Sequence, residues 1–425
     1  MGIGSPHSRW GPPGLGSGAD GRPLSYPKVS RLTRGARPLS PIRNLTAGVR
    51  HRCHDGPVST TVDRARVLAY RIARQGLHRT TTPVDDLPIV DLGVQDTPPG
   101  SARLALGVRT DADVDDHNLV RAWTLRASPF LHHAEDLPKF AAALWPHSER
   151  DALGKVAWQR SVMAKSGITA TQAIRYTAEA MRECVTKPTV KGVASTAVSK
   201  IVPKALVSFC RGCQAEHVFE SLFRLAALPG GLRLDLDQSP PLLVPIENWP
   251  GIPEEQHGTD DLIRLFLTFV GPASYGDVAA WLTTTQTEIK QVWPAGLVEV
   301  DVEGRTTWIP ESEIDLLLDP PEPPRALLVP TSDPFLQDRN KLFLVPDKAH
   351  HKTMWPVIGQ PGAVLVDGDV AGIWRTKASG KKKLEVKITE FVPITPDVRE
   401  DVEAEAARIG ALRGVGEVVV SVSSG

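Results

Sequence analysis

The chain has 425 residues, 41% of them hydrophobic and 23% charged, with a formal net charge of zero, a profile of a globular protein with two to four domains. No apolar run reaches membrane-spanning length, the N-terminus lacks the apolar stretch of a secretory signal, and four cysteines make no disulfide framework in so long a chain, so a cytoplasmic protein with no membrane partner is expected. Residues 1–60 carry nine Arg or Lys against two acidic residues, which leaves 40 basic and 47 acidic residues beyond them; the body is net acidic, so nucleic acid could be held only by local patches.

Residues 1–60, rich in Gly, Pro, Ser and Arg without apolar period, read as a disordered basic extension. Asp63 is placed to cap a helix carrying Val67, Leu68, Tyr70 and Ile72, with Gly76 ending it. The apolar run Ile89–Val94 then reads as a strand that stops at Gln95, Asp96 and Thr97. Thr97 suits an N-cap and Pro98 a first helical residue, with Ala102, Leu104, Ala105 and Leu106 following. The polar triplet therefore sits at a helix N-terminus, where backbone N–H groups can hold a water or an anion. Taken alone, it is a capped helix start.

A short helix near Asp116–Arg121 and a hairpin over Trp123–His133, turning at Ser128-Pro129, complete a first winged helix-turn-helix over residues 61–135. A second unit with connecting helices spans 136–245. It holds helices Thr171–Cys184, Val190–Ile201 and Pro203–Phe209, and strands Phe223–Leu228 and Leu232–Leu236 about Pro229-Gly230-Gly231. The third, 246–318, has helices Asp260–Val270, Tyr275–Leu282 (capped by Ser274) and Thr287–Val292, then strands Val298–Val302 and Arg305–Ile309 about Glu303-Gly304. After the Pro320–Pro324 linker the period falls to two. Strands Ala326–Pro330, Leu342–Val345, Gly362–Val366, Val370–Arg375 and Leu384–Ile388 predict a small β-barrel-like domain over 325–425, closed by helix Asp397–Leu412 and strand Glu417–Ser421. The fold class is α+β: three tandem winged helix-turn-helix units and a β-barrel-like domain.

Winged helices usually meet DNA, and three in one chain suit a clamp around a single duplex site better than a dimeric regulator. A non-catalytic winged-helix DNA-binding protein or transcription regulator is the alternative, but no dimerisation element or ligand domain is evident. Candidate DNA contacts are Arg126, His132 and His133 on the first hairpin. Gln286, Lys290 and Arg305 follow on the third unit, and Trp374, Arg375, Lys377, Lys381, Lys382 and Lys383 on the last hairpin. DNA contact is favoured for the first hairpin, while the last hairpin could equally be a solvated turn. Cys210-x-x-Cys213 with His217 is half of a zinc ligand set; with one such pair, two half-buried thiols in a helix-turn are the favoured reading and no metal is expected. No phosphate-binding glycine loop is present, so no cofactor is expected.

The segments Leu92–Thr97, Ala122–Arg126, Lys187–Gly192, Cys210–His217, Asp333–Arg339 and Gly372–Arg375, in this order, resemble the AlkZ/YcaQ-like family of tandem winged-helix DNA glycosylases, in particular its actinobacterial branch. The resemblance covers roughly residues 62–392. It implies a DNA glycosylase of base excision repair, acting as a monomer on alkylated purines in duplex DNA. Bulky N7-guanine adducts and self-resistance to a DNA-alkylating natural product fall within that range. The family's catalytic signature is Gln, any residue, then Gln or Asp, and Gln95, Asp96 and Thr97 occupy it. Gln95 agrees and Thr97 departs: either Asp96 supplies the carboxylate, or Thr97 positions a water. The residues fit this chemistry directly. A cationic alkylpurine needs little acid catalysis, an amide can hold the attacking water, and a carboxylate can accept its proton.

Overall fold

The computed structural model describes residues 60–156, 161, 165–212, 214–380 and 382–424. The expected basic extension (all but Thr60), Cys213 and Lys381 lie outside them. The first described element, strand Thr60–Val62, pairs in parallel with Leu297–Val302, more than 200 residues away. Asp63 then caps helix Arg64–Arg74 as predicted, its carboxylate accepting the Arg66 N–H at 2.8 Å, and the apolar face closes over Val67, Leu68, Tyr70 and Ile72.

The next segment departs from its prediction. Ile89 and Val90 are buried, but residues 84–91 form two 3-10 turns, Val84–Asp86 and Pro88–Asp91, and only Val94–Gln95 is a strand. Pro83 and Pro88 each remove a ladder donor, and the turns use local bonds instead, such as Val90 N to Leu87 O at 3.0 Å. The following helix begins at Ser101, not Pro98. Gly100, at φ 87°, is its N-cap in place of Thr97. Asp96 carries out the capping from upstream, its Oδ1 accepting the N–H groups of Gly100 (2.7 Å) and Ala102 (3.2 Å).

Residues 116–121 form no helix. Val120–Trp123 is a strand, antiparallel to Pro129–His132, and that strand also pairs with Val94–Gln95. Helices Ala170–Cys184 and Lys191–Ile201 appear as expected, the first with a capping box between Thr169 and Gln172. Phe223–Leu228 is not a strand: Glu220–Ala227 is a helix, burying Leu222, Phe223, Ala226 and Ala227 on one face. Leu232–Asp235 pairs instead with Leu242–Pro245. Pro203–Phe209 holds one 3-10 turn, after which Val207–Cys210 pairs with Ala215–Val218, so Cys210 and His217 lie on a hairpin rather than in a helix-turn. Arg121 opposite Leu234 joins the two hairpins into one six-stranded sheet.

The third segment follows its prediction: helices Thr259–Val270, Tyr275–Leu282 and Gln286–Gln291, then hairpin Leu297–Val302 and Arg305–Pro310. Its core is shared with the first, Phe266, Phe269 and Trp281 lying in one cluster with Leu106 and Phe130.

In the C-terminal part, Leu342–Val345 is not a strand, because Asn340 caps a short helix, Lys341–Leu344. Five strands form a row in the order Ala326–Val329, Gly362–Val366, Asp369–Ser379, Lys383–Glu390 and Glu417–Ser424. The first and last stand at opposite edges, so the row is an open sheet rather than a closed barrel. Helix Pro396–Leu412 covers it, with Val402, Ala406 and Ile409 in the sheet's core cluster. Among the described residues no helix is long and apolar enough to cross a membrane.

Candidate active site

Strand alternation sorts the polar triplet. Asp96 continues the pairing of Val94–Gln95, its N–H donating to Pro129 O at 2.8 Å, and its side chain is buried. Gln95 is half-buried, and Thr97, beyond the strand's end, is exposed. Asp96 Oδ2 accepts Arg121 Nε at 2.8 Å, so with the two helix N–H groups both of its oxygens are engaged. These contacts fix the helix start and Arg121. Close approach beneath the strand requires Gly93, where φ is 88° and a Cβ would lie 2.2 Å from His132 Cε1.

Gln95 Oε1 accepts two bonds, from Arg126 Nη2 and Gln337 Nε2, both at 3.2 Å, and Arg126 Nη2 also donates to Gln337 Oε1 at 3.1 Å. Arg126 reaches this position because the hairpin connection Leu125–Ala127 is left-handed at Arg126 and Ala127 (φ 53° and 54°). Two consecutive non-glycine residues with positive φ are uncommon and strained, and here they turn the guanidinium inward. Burial, and next the nearby Arg339, pull Arg126 down to about 9, and it stays charged at neutral pH.

Gln337, 6% exposed, was not anticipated. It ends the turn Pro334–Gln337, which Asp333 caps. Asp333 is fixed in turn by Arg109, with two bonds of 2.8 Å between fully buried side chains. Arg71 holds Asp338 at 2.7 Å, and Ser332 Oγ donates to Thr97 O at 2.6 Å. The sequence signal for Gln337 was the polar cluster Asp333–Arg339, but nothing local paired it with a glutamine 242 residues upstream.

Gln95, Arg126, Ser332, Gln337, Arg339 and Trp355 line a cavity of ≈190 Å³, completed by Leu336, Met354, Gln360 and Pro361. Two guanidiniums and three glutamines, but no carboxylate among the described residues, border it. Gln360 and Pro361 also line a groove of ≈780 Å³ that carries Arg103, Arg375 and Arg413.

The other predicted contacts fall into two classes. His132 is interior, which corrects its reading as a DNA contact, whereas Trp374, 4% exposed, lines the groove. His132 is 0% exposed, bonded through Nε2 to Thr124 Oγ1 at 2.9 Å and held neutral by burial, down to about 3. Trp374 donates Nε1–H to Val329 O at 2.9 Å and packs on Gly362. Arg375, Lys377, Lys382 and Lys383 are exposed, Lys383 bridging to Glu417 at 2.9 Å. Gln286, Lys290 and Arg305 are also exposed, Lys290 over the Tyr275 ring and Arg305 near Asp277, and His133 is half-exposed. None of these lines the Gln95 cavity.

The comparisons with known proteins fit this arrangement. The model of the family "DNA glycosylase AlkZ-like" matches residues 89–412. The chain belongs to the AlkZ-like DNA glycosylase family. It is thus a DNA repair enzyme whose partner is DNA. Among solved structures it is similar to the DNA glycosylase AlkZ of Streptomyces sahachiroi, at 19% identity and a TM-score of 0.67, over 86% of this chain and 100% of that one. No curated protein matches the chain. The family match spans Gln95, Arg126 and Gln337 together, although their sequence separation hides the cluster.

Proposed function

We propose that the enzyme excises cationic alkylpurines, including bulky N7-guanine adducts, from duplex DNA, with Gln95 at the reacting sugar. Water forms a bond to C1′ as the C1′–N9 bond breaks. The electron pair passes to N9 and neutralises the alkylated ring, and the water's proton is released to solvent. Gln95 positions the water, with Thr97 tied to the cavity rim through the bond from Ser332 to its carbonyl, while Asp96 holds the scaffold. The observation that carries this reading is Gln95, clamped between Arg126 and Gln337 in a cavity whose lining has no carboxylate. Such a cavity offers no carboxylic acid to protonate the leaving group, so it suits a base that leaves without protonation. The adjoining ≈780 Å³ groove gives a bulky substituent room.

In this reading residues 61–135, 136–245 and 246–318 are three winged helix-turn-helix units, and residues 325–425 are a β-rich domain. They act as a monomer around one lesion, with Arg375, Lys377, Lys382, Lys383, Gln286, Lys290 and Arg305 on phosphates. The cellular role is base excision repair, extending to self-resistance against a DNA-alkylating natural product. Duplexes carrying N7-methylguanine, a bulky N7-guanine adduct or hypoxanthine, cleaved with alkali after incubation, test the proposal. Strand breaks are expected at the two cationic bases only. Equal excision of neutral hypoxanthine would contradict it.

A further inference from the structure

Val357 is 101% exposed and Ile358 88% exposed, more than any other large apolar side chain among the described residues. They form the tip of a short loop held at both ends. On one side Met354 is buried, Trp355 N–H donates to His351 O at 2.9 Å, and the Trp355 ring meets His351 edge-on at 5.1 Å. On the other, Gly359 O accepts Arg375 Nη1 at 2.5 Å and Pro361 is buried. The residues before the tip, Met354 and Trp355, and those after it, Gln360 and Pro361, all line the Gln95 cavity. Two aliphatic side chains are thus held in solvent at the rim of the site.

Two adjacent aliphatic side chains wholly in solvent gain free energy from whatever apolar surface covers them. Two side chains fall far short of the roughly 800 Å² per partner of a standard protein interface. The substrate offers what fits: the apolar faces of stacked bases, flanked by phosphates that Arg375 and the groove arginines can meet. We propose that Val357 and Ile358 form a wedge that enters the base stack beside the lesion and opens that step while the lesion occupies the Gln95 cavity. The proposal rests on the reading of that cavity as the site. The wedge would expose C1′ by deforming the duplex.

The test uses the full chain and a duplex with N7-methylguanine beside 2-aminopurine, whose fluorescence rises on unstacking. Wild-type protein is expected to raise the fluorescence before excision. The double variant Val357→Ser, Ile358→Ser, with unchanged thermal unfolding, is expected to lose the rise. Its single-turnover excision should fall roughly tenfold or more on the paired duplex, but less than about threefold where the neighbouring pair is mismatched and already opened. An equal rise from both proteins would overturn the wedge. So would an equal loss on both duplexes, or a change of oligomeric state as the sole effect. Gln95→Ala separates the two readings: it keeps the rise and loses excision if both hold. Normal excision by Gln95→Ala beside an intact rise would reject the site and leave the wedge standing.

Discussion

The hairpins Val120–His132 and Asp369–Glu390 carry similar runs of aromatic and basic residues, and the fold treats the runs differently. Within the strands both aromatic rings are buried, His132 fully and Trp374 with its edge at the groove. At the connections the hairpins diverge. The first folds back through left-handed Arg126 and Ala127, and its cation is drawn into the Gln95 cluster. The second leaves Lys377 and Lys382 in solvent around Gly380. A cation drawn into a cavity is placed to act on rate, whereas cations at an exposed tip act on affinity and its salt dependence.

The largest expected effect removes the support of the inward side. Asp333→Ala leaves Arg109 buried and unpaired, which costs about 3–5 kcal/mol; a thermal or denaturant unfolding curve that barely moves would contradict the structural role of this pair. Next, Arg126→Ala removes the guanidinium's bonds to both glutamines and leaves Gln95 held by Gln337 alone. Single-turnover excision should fall roughly 10²-fold while DNA affinity changes little, and Arg126→Lys should not restore it, because one ammonium does not reproduce the guanidinium fork. An effect confined to affinity would erase the contrast between the two connections.

How much of this was legible in the sequence differs by element. Thr259–Val270 and Ala170–Cys184 were readable because apolar period and capping residues agree. Ile89–Val94 and Phe223–Leu228 were not, since a short buried apolar run looks alike in a strand, a turn or a helix face. Gln95 stood out beside an apparent helix start, but the capping belonged to Asp96 and Gly100, so the start was misplaced by three residues. Arg126 was singled out for an outward role because no local code announces two non-glycine residues at positive φ. Gln337 stayed hidden because its value arises only when Arg109 and Asp333 bring residues 95, 126 and 337 together.

A smaller effect comes from His132. Its folded value, about 3, lies below the unfolded value near 6.5. The neutral form is favoured on folding, so this contribution is complete above about pH 6.5 and is lost as pH falls toward 3. Between pH 7.5 and 5 the loss is about 2 kcal/mol. Unfolding curves of wild type and His132→Gln at pH 7.5 and 5 should therefore converge on acidification; parallel curves would show that His132 does not titrate this way. Smallest is the outer hairpin: Lys377→Ala with Lys382→Ala should flatten the slope of log affinity against log salt by about 0.9 per lost phosphate contact, at unchanged single-turnover rate. A rate loss there would place that tip in the chemistry after all.

The central claim is that Gln95, oriented by Arg126 and Gln337, governs the reacting sugar. It is tested most directly by single-turnover excision of N7-methylguanine from duplex DNA by wild type and Gln95→Ala at saturating protein. The account predicts a fall of roughly 10²–10⁴-fold with DNA binding retained; equal rates from the two proteins would contradict it.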